Sequence, residues 1–188
     1  MKDAILKLAE AQLMTGGYGK LNFGQIATAL DTTRANLHYH FKNKESLAIA
    51  VTEDFGTRQV AAFHAMRDAF KGNFTGYVQM LDDSFWAPET DPEDLRSCTL
   101  LAADPDLPAP LRMLTEAFYR DVNASLVATL EDAKAAGEIR SDIDCQREAN
   151  RAHTLMMGLM TSIQHMPNRD AARAALGGLL TDWAAGLT

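Results

Sequence analysis

LNFGQIATALDTTRANLHYHFKNKESL, residues 21–47, is the stretch from which the rest of the chain can be read. Asn22 followed three residues later by Gln25 has the pattern of a capping box, with Ile26 and Ala27 turned inward. A helix of about two turns is expected before Asp31. Thr33 caps a second short helix, whose inward residues Leu37 and Phe41 stand four apart on one face. Asn43, then Ser46 and Leu47, restarts the apolar pattern and opens a longer helix past Phe55 and Val60 to about Phe70. Two short helices separated by a tight turn and continued by a long one make a helix-turn-helix unit.

The outward face of the second short helix carries the chemistry. Arg34, Ala35, Asn36, His38, Tyr39 and Lys42 fall away from the Leu37–Phe41 seam. Arg34 suits guanine O6 and N7 or a phosphate, Asn36 an adenine edge, and small Ala35 permits close approach or contact with a thymine methyl. Tyr39, His38 and Lys44 suit backbone phosphates, which set register. A free helix N-terminus at Thr33 favours anions as well. A polar run of this kind on an ordinary solvated helix face is the competing reading, and the helix-turn-helix context decides against it. A metal reading of His38-Tyr39-His40 fails because residues two apart on a helix point to nearly opposite sides. The candidate DNA-binding set is Asn22, Gln25, Thr33, Arg34, Ala35, Asn36, His38, Tyr39, His40 and Lys44.

Charge supports that assignment. Residues 1–47 hold six Lys and Arg against four acids, a net of +2, while the remainder holds twelve against twenty-one, a net of −9. A polyanion is attracted to the first part and repelled by the second. The chain of 188 residues is 47% hydrophobic and 23% charged, the composition of a folded globular protein. Lys7 and Glu10 interrupt the first apolar run, which does not fit a signal peptide, and no stretch has the length of a transmembrane helix. Cys98 and Cys145 form neither a disulfide framework nor a metal motif, so a reducing cytoplasm and no cofactor are expected.

Helical periodicity continues in both directions. Ile5, Leu8, Ala9 and Leu13 share one face of a first helix expected to stop at Gly16-Gly17. Downstream, turn-forming clusters separate helices expected over 74–86, 93–103, 109–136, 144–165 and 169–187. No segment alternates with the period of a strand, so the fold expected is all-α. An N-terminal helix-turn-helix domain over 1–46 would precede a helical effector-binding and dimerisation bundle over 47–188.

The segment from Ile5 to Val51 resembles the N-terminal domain of the TetR family of transcriptional repressors. Ile5, Ala9 and Leu13 stand at that family's first-helix core, followed by Gly17-Tyr18 and Ile26-Ala27. Leu37 to Phe41, with Lys44, Glu45 and Leu47, resembles its recognition helix and the start of its fourth helix. The sequence departs from the family at Leu21 (usually Thr), at Gly24 (frequently basic or polar) and at His38 (commonly Tyr). The resemblance implies a ligand-responsive repressor that binds a palindromic operator as a homodimer.

The acidic remainder is read on its own residues. Small residues such as Ala152, Gly158, Ala174, Ala175, Gly177 and Gly178 allow close helix approach, which suits a twofold interface through residues 144–187. Candidate ligand-binding residues are Tyr77, Met80, Trp86, Cys98, Phe118, His153, Met156, Met157 and Met160, around a small, partly apolar effector. Filling an intrachain core is the plainer role for each of them. An all-α hydrolase or lyase using His153 or His165 is the alternative function, and a helical ligand carrier a third. The enzyme reading is supported by no nucleophile–base spacing, phosphate loop or metal-ligand cluster.

Overall fold

The computed structural model describes residues 1–87, 104 and 106–188. The described elements are α1 (Lys2–Lys20), α2 (Phe23–Ala29), α3 (Arg34–His40), α4 (Lys44–Ala69), α5 (Phe74–Trp86), α6 (Ala109–Ala135), α7 (Cys145–Ile163), α8 (Arg169–Leu176) and α9 (Leu179–Ala185). No strand occurs among the described residues, in line with the all-α expectation. The helix expected over 93–103 and Cys98 lie outside the described residues.

The chain forms two compact units. Of the described residues, one comprises 1–58 with 104 and 106–118, the other 59–87 with 119–188, so the divisions after residues 58 and 118 fall inside helices, α4 and α6. In the first unit, Ile5, Ala9 and Leu13 of α1 pack with Ile26 and Ala27 of α2, Leu37 of α3 and Leu47, Ala48 and Val51 of α4. Leu107 and Leu111, more than fifty residues later in sequence, are buried in the same core. Arg58 reaches Glu10 at 2.6 Å and Asp54 at 2.8 Å across its surface. With Arg58 and Asp54 half exposed and Glu10 about a quarter exposed, these pairs add little stability.

The first helix breaks at Gly17 (φ 67°, ψ −172°), a conformation open to glycine, where the sequence places its stop, and a further turn then runs to Lys20. One helix end differs from the sequence reading. The segment 169–187 is two helices, because Gly178 takes φ 85° and starts α9 anew. Elsewhere the boundaries agree with expectation to within two residues, as at Phe74–Trp86 and Ala109–Ala135.

The second unit is built on α5, the C-terminal part of α6, α7, α8 and α9. Phe74, Val78, Leu81 and Phe85 of α5, Val122, Leu126 and Leu130 of α6, and Ala149, Ala152, Met156 and Leu159 of α7 are buried in it. Small residues on α7 come inward at Ala149 and Ala152, while Gly158 stays on the exposed side.

Candidate nucleic-acid interface

The helix-turn-helix is held by its caps. Asn22 accepts from the Gly24 and Gln25 amides at 2.8 and 3.2 Å, and Thr33 Oγ1 accepts from Asn36 N at 3.2 Å. The return half of the expected capping box is not made by Gln25. Gln12 of α1 takes that role: its Oε1 accepts from Asn22 N at 2.9 Å, and its Nε2 donates to Gln25 Oε1 at 3.2 Å. The donor orphaned at the start of α2 is thus satisfied from a neighbouring helix. The turn after α2 is a Schellman motif, with Thr32 N donating to Ala27 O at 2.9 Å and Asp31 N to Thr28 O at 3.2 Å. Asp31 occupies its left-handed position at φ 48°, which short polar side chains tolerate.

This frame turns Leu37 inward and leaves Arg34, Ala35, His38 and Tyr39 exposed. Tyr39 is 85% exposed, an unusual position for a tyrosine with no role in packing. It meets His40 edge-on at 5.4 Å between ring centres. The Asn36 amide donates to Thr32 Oγ1 at 3.0 Å, which leaves its carbonyl and one donor available. His38 packs its ring 4.9 Å from Phe23, and its Nδ1 lies 3.1 Å from the Lys42 carbonyl. Lys44 is anchored more than expected. Its Nζ donates to Gly19 O at 3.1 Å and stands 4.5 Å from the centre of the Tyr18 ring, tying the last turn of α1 to the start of α4. Arg34, His38 and Lys44 line one shallow cleft with Leu21, Asn22, Phe23, Gly24 and Asn43, and no acid lines it. A phosphate is the ligand such a cleft suits.

The candidate ligand-binding residues are dispersed. Phe118 belongs to the first unit, 5.9 Å from the ring of Phe55. Met80 is 45% exposed, and Met157 and Met160 are half-buried. Tyr77, Trp86, His153 and Met156 are buried in the second unit. Two buried polar atoms there, Ser125 Oγ and His153 Nδ1, lack a hydrogen-bond partner, while the Tyr77 hydroxyl is within reach of Thr129 and the Asp82 carboxyl of the Trp86 indole and the Gly178 backbone. Sequence reasoning missed Asp82 and Ser125, although Val78, Phe85 and Trp86 share a helix face with Asp82, and Val122 one with Ser125. Burial pushes the Tyr77 hydroxyl up to about 12 and the His153 imidazole down to about 4, where it is neutral. His153 also stacks on Tyr119, at 4.0 Å between ring centres.

On α7, α8 and α9 an open groove is lined by Arg147, Asn150, Arg151, Thr154, Gly158, Leu179 and Trp183 among others. Trp183 Nε1 donates to Glu148 Oε2 at 3.0 Å, and Arg151 pairs with Glu148 at 3.0 Å. No group of three metal-ligating side chains occurs among the described residues.

Comparison with known proteins decides what this architecture is. The profile of bacterial regulatory proteins of the tetR family matches residues 5–51, and that of the tetracyclin repressor-like C-terminal domain matches residues 83–179, more than half of the chain. The chain belongs to the TetR family. It is a DNA-binding transcriptional regulator, and its family and fold are those of regulators rather than enzymes. The HTH-type transcriptional regulator QacR of Staphylococcus aureus is 35% identical to it over 51 residues, 27% of each chain, so that likeness is confined to about a quarter of either protein. A TetR-family regulator from Agrobacterium tumefaciens superposes on the TetR-family chain with a TM-score of 0.85 at 20% identity, over 96% of both chains. The regulator FadR of Bacillus subtilis, solved in complex with stearoyl-CoA, superposes with a TM-score of 0.78 at 15% identity, over 100% of both. No helix among the described residues is long and apolar enough to cross a membrane.

Proposed function

We propose that this regulator is a cytoplasmic repressor. It binds a palindromic operator as a homodimer and is released by a small, partly apolar effector. The observation that carries the reading is α3: a helix with Leu37 buried, a cap at Thr33 and Arg34, Ala35, His38 and Tyr39 all exposed. Ala35 and Asn36 stand where base edges are read, while Asn22, Gln25, Thr33, His38, Tyr39, His40 and Lys44 border the phosphates. Functionally, residues 1–46 act as the DNA-binding domain and 47–188 as the effector-binding and dimerisation domain.

The groove on α7 and α9 is the proposed seat of the second copy, because a helix-turn-helix dimer presents two recognition helices about one DNA turn apart. Unpartnered buried atoms such as His153 Nδ1 and Ser125 Oγ supply polar anchors for an effector among apolar neighbours. That a regulator of this fold holds stearoyl-CoA supports a ligand of mixed polarity. Coupling follows from linkage: an effector that prefers the DNA-incompetent conformation lowers operator affinity, and the operator lowers effector affinity by the same factor.

Footprinting on the DNA flanking the regulator's own coding region tests the first part. A protected palindrome whose affinity falls steeply with salt is the expected result, and salt-independent or absent protection would refute it. Candidate effectors are then titrated against free and operator-bound protein, with Trp86 fluorescence as readout. An effector bound equally well in both states is not an inducer.

A further inference from the structure

We infer that Gly24 aims Arg34 at the DNA backbone. Arg34 is the first residue of α3, and its side chain folds back across the start of α2. A Cβ on residue 24 would overlap Arg34 Nη2 and stand 2.9 Å from both Cζ and Nε. Only a residue without a Cβ lets the guanidinium lie there. Lying there, Arg34 uses its reach on the neighbouring helix instead of extending from α3 to a base edge.

The environment of the guanidinium supports a phosphate role. Arg34 is exposed and makes no hydrogen bond or ion pair among the described residues, so all five of its donors are open. It shares its cleft, of about 340 Å³, with His38 and Lys44 and with no carboxylate. An unpaired planar fork in such a place matches a phosphodiester, to which arginine bonds bidentately. Arg34 then sets register along the duplex, and base reading is left to Ala35 and Asn36. Gly24 is a positioning residue that acts through Arg34.

This inference rests on α3 facing DNA, and its test separates the two. Gly24→Ala, Arg34→Ala and the double variant are measured against a mixed-sequence duplex over a series of salt concentrations, with thermal melts of each protein. What a methyl group at residue 24 meets is the far end of a flexible side chain, so Gly24→Ala is expected to fold and melt as the native protein does. It should lose mixed-sequence affinity to the same degree as Arg34→Ala, each flattening the log–log salt slope by about 0.9. The double variant should bind no more weakly than Arg34→Ala alone, a coupling that a general structural role of Gly24 would not produce. The inference is overturned if Gly24→Ala binds as the native protein does, if it fails to fold, or if the two losses add. It is also overturned if Arg34→Ala leaves mixed-sequence binding intact and alters the preference at a single base pair. Native protein showing no salt-dependent duplex binding would remove the DNA-facing reading of α3 as well; the other adverse results remove only the role of Gly24.

Discussion

Gly158 offers a test of assembly that separates protomer from dimer. It lies inside α7, exposed, in the groove shared with α9, and a Cβ there would meet no heavy atom within 4 Å. A glycine in a helix interior costs about 1 kcal/mol relative to alanine. Nothing in the protomer requires this one, so Gly158→Ala should stabilise an isolated protomer by about 0.5–1 kcal/mol. If two copies meet across this groove, the added methyl groups instead separate the facing helices and weaken the dimer. Gly158→Glu sharpens the contrast by placing a carboxylate from each copy in the interface. Arg151, two turns away, is already paired with Glu148 at 3.0 Å and does not neutralise it. An uncompensated buried charge costs about 3–5 kcal/mol, and the lower figure alone raises the dimer dissociation constant about 150-fold. Sedimentation velocity over a dilution series, beside urea denaturation at one concentration, reads both effects. Native protein that is monomeric at micromolar concentration, or a Glu variant that dimerises like the native chain, would refute the interface. A Gly158→Ala protomer less stable than native would refute the packing argument.

Three further outcomes are expected. Lys44→Ala should weaken binding to every duplex and flatten the salt slope by about one unit; weaker binding with an unchanged slope would mean that Lys44 acts by holding Gly19 and Tyr18. Burial of His153 lowers its pKa from 6.5 to about 4, so between those values the unfolded chain binds a proton that the folded chain refuses. The contribution is therefore complete above about pH 6.5 and is lost as pH falls toward 4, by roughly 2 kcal/mol from pH 7 to pH 5. His153→Gln should flatten that dependence in urea melts, and an equal slope in both proteins would count against it. Leu111→Ala, at a fully buried position in the helix-turn-helix core, should destabilise that unit by about 2–5 kcal/mol, and an unchanged urea midpoint would contradict its burial.

Much of this molecule was legible where the signal is local. The caps at Asn22, Thr33 and Asn43 are side-chain-to-backbone bonds spanning two or three residues, and each forms as its spacing implies. Leu37 and Phe41 are buried because a four-residue period leaves them one face. Failures begin where a bond crosses between helices. Gln25 fits the capping-box pattern, yet Gln12, ten residues from Asn22, completes the cap, and no local rule identifies it. Lys44 looks like a free cation in sequence and is occupied by a carbonyl of α1. In the second unit, a methionine or aromatic at helical spacing serves core and pocket alike, and only burial distinguishes exposed Met80 from buried Met156.

The seating of Leu107 and Leu111 among Ile5, Leu13, Leu37 and Leu47 bears on how such a regulator can be re-engineered or recombined. The recognition unit is composite, stitched from the beginning of the chain and a stretch near its middle. A gene fragment ending after Arg58 would encode every side chain proposed to touch DNA and still leave an apolar notch open to water. Chimaeras that exchange only the N-terminal segment therefore inherit the recipient's residues at 107 and 111 as part of their own core. Transplanted specificity will travel best between regulators with matching leucines at these two positions, or when residues 106–111 move with the reading head.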